Sequence, residues 1–149
     1  MSAEPPILGT WRTLLDRSLT QTRPLVDAGA IRTGASYGAL DGLTLVRDRA
    51  YFPGHLYFDG ERAVLALVEL PSSVAPELTD EALLALVGDR VQWLQSRVGK
   101  PSRLRVAAER GLAISEQLGM KVDYLELFPP TTAEDYRERI YAAPPKFVK

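Results

Sequence analysis

The sequence predicts a single α/β domain over residues 1–149: N-terminal helices, an antiparallel β-hairpin meander, a β-α-β-α-β unit in a mixed sheet, and a C-terminal helix. Three observations predict it. Ala63-Val64-Leu65-Ala66-Leu67-Val68 is an unbroken apolar run that stops at Glu69, Leu70 and Pro71. A strand with no polar alternation is one covered on both faces, so this run predicts the centre of a sheet. Upstream, from Leu43, the apolar period is two, broken by Pro53-Gly54 and Asp59-Gly60; an Asp-Gly pair accepts the positive φ angles of a type I′ hairpin turn. Downstream, Leu83, Val87, Val91, Leu94 and Val98 recur at helical spacing, which predicts a long helix lying on that sheet.

In chain order, Leu8, Trp11, Leu15 and Leu19 predict a helix over residues 10–20 with Thr10 as cap, and Pro24 opens a short helix over 24–28. Gly34, Gly38 and Gly42 lie four apart in a small, polar segment expected to be a loop. Strand material follows at 43–47, 50–52, 55–58 and 62–70, ended by Pro71, which cannot donate to a ladder. Residues 72–78 form a connecting loop. Thr79 caps the long helix, with Asp80 and Glu81 in its first turn and Gly99 past its end. A strand over 102–107, a helix over 109–118 ended by Gly119, and a strand over 122–128 complete a crossover unit with a parallel part. Thr131 and Glu134 make a capping box for a last helix to about Tyr141, carrying Tyr136 and Ile140 one turn apart. Residues 1–6 and 144–149 are expected to be flexible ends, and no internal repeat is visible.

Composition narrows the functions. The net charge is −1, which argues against a generally basic surface for nucleic acid or anionic lipid and leaves only local binding. There is no cysteine, so disulfides, thiolate nucleophiles and cysteine-ligated metals are excluded. No apolar run approaches the ~18 residues that span a bilayer and the N-terminus has no signal-like core, so the expectation is a soluble cytoplasmic protein without membrane partners.

His55 is the single histidine, following Pro53-Gly54 at a strand start, so any metal site must rely on carboxylates. Phosphate-loop, EF-hand, zinc-helix and nucleophile-elbow patterns are absent. Glu69 stands at the end of the central strand, where side chains emerge into the crevice used by many α/β folds; its plainer role is an ion pair with Arg105 across neighbouring strands. Arg97, Lys100, Arg103, Arg105 and Arg110 form a local basic cluster that would contact phosphates. Its plainer role is to complement a helix C-terminus and face water.

Gly42-Leu43-Thr44-Leu45-Val46, Gly54-His55-Leu56-Tyr57-Phe58, Val64 to Leu70 and the following Val91-Gln92-Trp93-Leu94 resemble the core of the PD-(D/E)XK nuclease superfamily over residues 42–128. Leu104-Arg105-Val106-Ala107-Ala108, Leu118-Gly119-Met120 and Tyr124-Leu125-Glu126-Leu127 look like its next strand, helix and strand. The resemblance implies an Asp on the first hairpin strand and a Glu-x-Lys on the second, holding Mg²⁺ or Mn²⁺ for phosphodiester hydrolysis. Glu69 matches the Glu. The Lys position is Pro71, and the Asp position falls near Leu56 or Tyr57, with Asp59 displaced into the turn and Asp41 or Glu61 as substitutes. Proline can neither ligate nor transfer a proton, so the resemblance implies a catalytically degenerate member.

Leu118-Gly119-Met120 is also similar to the Leu-Gly-aromatic ending of GNAT acyltransferases, whose coenzyme A pyrophosphate sits on a Gly-rich helix N-terminus. Here Pro76-Glu77-Leu78-Thr79-Asp80-Glu81 offers three carboxylates and no glycine, which repel a pyrophosphate. The function expected first is therefore a non-catalytic binding or interaction protein without a resident cofactor, with nucleic acid or another subunit, including a second copy, as partner. The alternatives are a metal-dependent nuclease using Glu69 with Asp59, and a degenerate acyltransferase fold.

Overall fold

A computed structural model describes residues 4–88, 90–96, 98, 102–117, 119 and 121–141. They form one α/β domain around an eight-stranded sheet in the order β1-β2-β3-β4-β8-β7-β6-β5. The strands are β1 (Ile31–Tyr37), β2 (Leu40–Val46), β3 (His55–Asp59), β4 (Arg62–Glu69), β5 (Gln92–Gln95), β6 (Arg103–Ala107), β7 (Leu112–Gln117) and β8 (Lys121–Leu127). The helices are α1 (Pro6–Leu14), α2 (Leu19–Thr22), α3 (Pro71–Val74), α4 (Asp80–Val87) and α5 (Ala133–Asp135), the last running into a π-helical turn, Tyr136–Ile140. No helix among the described residues is long and apolar enough to cross a membrane.

The apolar run is β4, fourth in the sheet and covered on both faces. Ala66 and Val68 belong to a core shared with Leu8, Trp11 and Leu14 of α1 and with Leu83, Leu86 and Val87 of α4. Leu65 and Leu67 belong to a second core with Tyr37, Tyr57, Tyr124, Phe128, Tyr136 and Ile140. Alternate residues of one strand therefore serve opposite layers.

Every strand pair is antiparallel, which corrects the expected mixed sheet. Two expected helices are the reason. The long helix stops at Val87 because Gly88 takes φ 73, and residues 92–95 become β5 instead. The helix expected over 109–118 is a 3₁₀ turn, Ala108–Arg110, then Gly111 at φ 65 and β7. Without those helices the links from β5 to β6, β6 to β7 and β7 to β8 are too short for a parallel crossover, and these strands pair as antiparallel neighbours. Gly99 and Leu118, expected at the ends of these helices, lie outside the described residues.

Smaller corrections follow the same logic of caps and turns. The first helix begins at Pro6, whose missing N–H costs nothing in a first turn, and Ser18 opens α2 with a capping box to Gln21. Residues 24–28 are split between 3₁₀ turns at Arg23–Leu25 and Ala28–Ala30. The Gly-spaced segment is the irregular hairpin of β1 and β2, with Gly34, Gly38 and Gly42 all at positive φ. Residues 50–52 form a turn in which the Asp48 carboxylate accepts from the Ala50 N–H. The β3–β4 hairpin pairs Asp59 with Arg62 across Gly60 and Glu61. Neither Asp59 nor Glu61 shares the positive φ of Gly60, so the turn is not type I′. The last helix is capped by Thr132 rather than Thr131, while the Thr131 hydroxyl donates to Asp135. Of the ends, residues 1–3 and 144–149 lie outside the described residues, and Pro6 is part of α1.

Candidate functional site

Glu69 ends β4, and the chain turns at once. Pro71 opens α3 and disfavours the right-handed helical conformation in the residue before it. Leu70 takes not the extended conformation usual before proline but the left-handed one, at φ 46 and ψ 63, the one non-glycine with positive φ among the described residues. Three hydrogen bonds fix it there: its N–H donates to the Asp123 carbonyl at 2.9 Å, and its carbonyl accepts from the Ser73 N–H at 2.9 Å and the Ser73 hydroxyl at 2.7 Å. The side chain gains little burial, being 57% exposed.

Leu70 is a ridge between two clefts. The first, about 370 Å³, is lined by Arg47, Arg49, His55, Glu69, Ser73 and Val74 among others. The second, about 300 Å³, is lined by Leu67, Glu69, Leu70, Val98, Asp123 and Tyr124. Among the described residues Arg47, Arg49 and Glu69 make no ion pair, although they share the first cleft. His55 lies beside Tyr57, with 3.5 Å between Nδ1 and the phenol oxygen.

Asp123 is fixed by a β-bulge. Ser115 and Glu116 of β7 face Tyr124 and Val122 of β8, so Asp123 is the extra residue between them. Its Oδ2 accepts from the Ser102 hydroxyl at 2.6 Å and the Ser115 hydroxyl at 3.1 Å. Ser115 also hydrogen-bonds Ser96, hydroxyl to hydroxyl, at 2.6 Å. The second cleft thus carries a carboxylate held in place by its neighbours.

The other sequence-derived candidates do not join this site. Asp59 sits at the far end of the hairpin, opposite Arg62. Glu69 lies seven steps along β4 from Arg62, about 23 Å of extended chain, while a shared cation needs oxygens within ~2.6 Å. Among the described residues no three acidic or histidine side chains come together as a metal group. The expected Glu69–Arg105 pair is replaced, because β8 and β7 stand between β4 and β6.

Arg105 instead donates from Nε to Oε1 of buried Glu116 at 2.7 Å, and Arg103 reaches the same oxygen at 3.2 Å. Both guanidinium carbons lie over the Trp93 ring, at 4.2 Å for Arg103 and 4.7 Å for Arg105. Arg110 donates to the Leu86 carbonyl at the end of α4. Arg97 and Lys100 lie outside the described residues. The expected basic cluster is therefore, at Arg103 and Arg105 of β6, a partly neutralised stack over Trp93 of the edge strand β5.

One buried polar group had no place among the sequence candidates. Glu126 is 2% exposed and accepts from the phenols of Tyr37 and Tyr136. Burial first, and then the Glu126 charge, push the Tyr136 phenol far above its ordinary value. The signal was present in Tyr124-Leu125-Glu126-Leu127, where period two puts Glu126 on the same face as Tyr124. The Tyr136 bond fastens the C-terminal turn over the second core, and the Tyr37 bond ties β1 to β8 there. Comparisons of the chain with protein-family models, with curated proteins and with solved structures gave no match.

Proposed function

We propose that the protein is a non-catalytic interaction module that docks another polypeptide on the Leu70 ridge. The observation that carries this reading is Leu70 itself. A left-handed conformation costs an L-residue ~1–2 kcal/mol, and glycine would avoid that cost. An exposed leucine in such a position recovers almost none of it by burial, so a contact outside the chain is the natural role of its side chain. Val74, on α3, and Val98 are also exposed and line the two clefts, giving an apolar centre with a polar rim, the usual anatomy of a protein interface.

The metal-dependent and acyl-transfer readings have less support: Glu69 has no second carboxylate placed by the hairpin, and Asp80 and Glu81 occupy the first turn of α4. The nucleic-acid reading has less support because Glu116 offsets part of the charge of Arg103 and Arg105.

Photo-crosslinking from position Ser73 in cells that make the protein tests the proposal. A discrete polypeptide adduct is expected with the native sequence, lost on Leu70→Gly and retained on Leu25→Gly, a control at a leucine 52% exposed elsewhere. An adduct indifferent to Leu70→Gly, or none at all, would sink it.

A further inference from the structure

The two sides of the Leu70 ridge differ in charge. On one side lie Arg47 and Arg49; on the other lies Asp123, oriented by Ser102 and Ser115. Glu69 belongs to both clefts. Opposite charges that line one cavity would ordinarily close on each other, yet among the described residues neither arginine pairs with Glu69. With respect to the described residues, both signs remain available to an incoming group. Exposed apolar side chains lie on both sides: Val74 lines the first cleft, Val98 the second, and Leu70 both.

We infer that the docked segment is bipolar: an apolar anchor on Leu70, acidic side chains over Arg47 and Arg49, and basic side chains toward Glu69 and Asp123. The inference rests on the docking reading and adds the chemistry of the partner. Complementary rim charges set register and exclude wrong partners more than they add affinity, so the pattern is a specificity device. A segment with acids on both flanks meets Asp123 and Glu69 with like charge. One with bases on both flanks meets the two arginines.

The test uses the full chain, labelled with ¹⁵N, and capped synthetic peptides of about six residues, long enough to cross both clefts. Each peptide carries a Leu-Leu centre. The flanks are acidic and basic, acidic on both sides, basic on both sides, or Ser on both sides. The bipolar peptide is expected to shift the amides of Leu70, Ser73 and Val74, and to bind about tenfold tighter than the others at low salt, with the advantage shrinking as salt rises. The double variant Arg47→Glu, Arg49→Glu should transfer that preference to the peptide basic on both sides. Equal binding of the bipolar and Ser-flanked peptides would overturn the charge pattern and leave docking on Leu70 standing. Absence of shifts with every peptide would also overturn the charge pattern, and persistence of the Leu70-dependent crosslink would then show that the docking reading survives it. A melting temperature of the Arg47→Glu, Arg49→Glu double variant unchanged from that of the native chain separates altered binding from lost fold.

Discussion

Three backbone positions show how close approach and conformation decide opposite outcomes for small substitutions. A Cβ on Gly54 would lie 2.0 Å from the Leu67 carbonyl oxygen, and one on Gly111 would lie 2.1 Å from that of Phe128, with φ at 65 besides. Neither neighbour is a flexible side-chain end. Gly54→Ala and Gly111→Ala should each destabilise by about 2–4 kcal/mol, read as a lower urea midpoint. Leu70→Gly should do the reverse. Relief of the left-handed strain outweighs the extra chain entropy of glycine, giving up to ~1 kcal/mol of stabilisation and a raised midpoint. A midpoint lowered by Leu70→Gly would mean that the side chain serves the fold. The special character of Leu70 was not legible in the sequence, because nothing in a leucine marks a positive φ. Pro71 excluded only the helical alternative. Glu69 was legible as a cleft residue because an abrupt carboxylate after an apolar run marks a strand end.

At the level of elements, the hairpin turn and the N-terminal helices are tied by one carboxylate. Glu61 accepts from the Thr20 hydroxyl at 2.6 Å and the Thr20 N–H at 2.9 Å, while its carbonyl accepts from the Leu19 N–H at 2.9 Å. The Thr20 hydroxyl, then the Thr20 N–H, hold the Glu61 carboxyl below its ordinary value of 4.5. A depressed carboxylate contributes stability that is fully present above its unfolded value and lost as pH falls through the folded one. Melting temperature should therefore fall as pH drops below about 4.5, and Glu61→Gln should flatten that acid limb. An unchanged slope would remove Glu61 from the account.

Two further elements rest on buried polar groups. Tyr136→Phe removes one donor from buried Glu126 and should cost about 1–3 kcal/mol, loosening the C-terminal turn. Arg105→Ala leaves Glu116 buried with, among the described residues, only the more distant Arg103 as an ion-pair partner, and should cost about 3–5 kcal/mol in chemical denaturation. Helix limits were the least legible feature here. Val91, Leu94 and Val98 fit a helical stripe and the adjacent apolar Trp93 and Leu94 show no period of two, so β5 left no trace in the spacing; Gly88 and Gly111 end the helices through backbone angles that spacing does not reveal.

For the whole molecule, the sequence was enough to place β4 at the centre and both cores on its two faces, since burial on both sides leaves a compositional trace. Strand direction left none. It depends on the lengths of links, and those lengths changed once two expected helices became strands. The sheet order then discloses a symmetry without sequence repetition: helices followed by a four-strand meander, β1 to β4, and again a helix followed by a four-strand meander, β5 to β8. Helices α1 and α4 share one core on the same side.

Among the described residues the β4–β8 pairing, Ala66 with Leu127 through Glu69 with Tyr124, is the one strand ladder that joins one meander to the other. The rest of the ladder is local hairpins, which form early and close short loops. Leu70 stands at the end of that seam. The cleft with Arg47 and Arg49 belongs to the first half, whereas Val98, Asp123 and Tyr124 of the other cleft come from the second. A segment lying across the ridge would act as a clasp, gripping both halves and resisting their separation. Occupancy would then be recorded far from the contact itself, as slower amide exchange along the whole length of the seam.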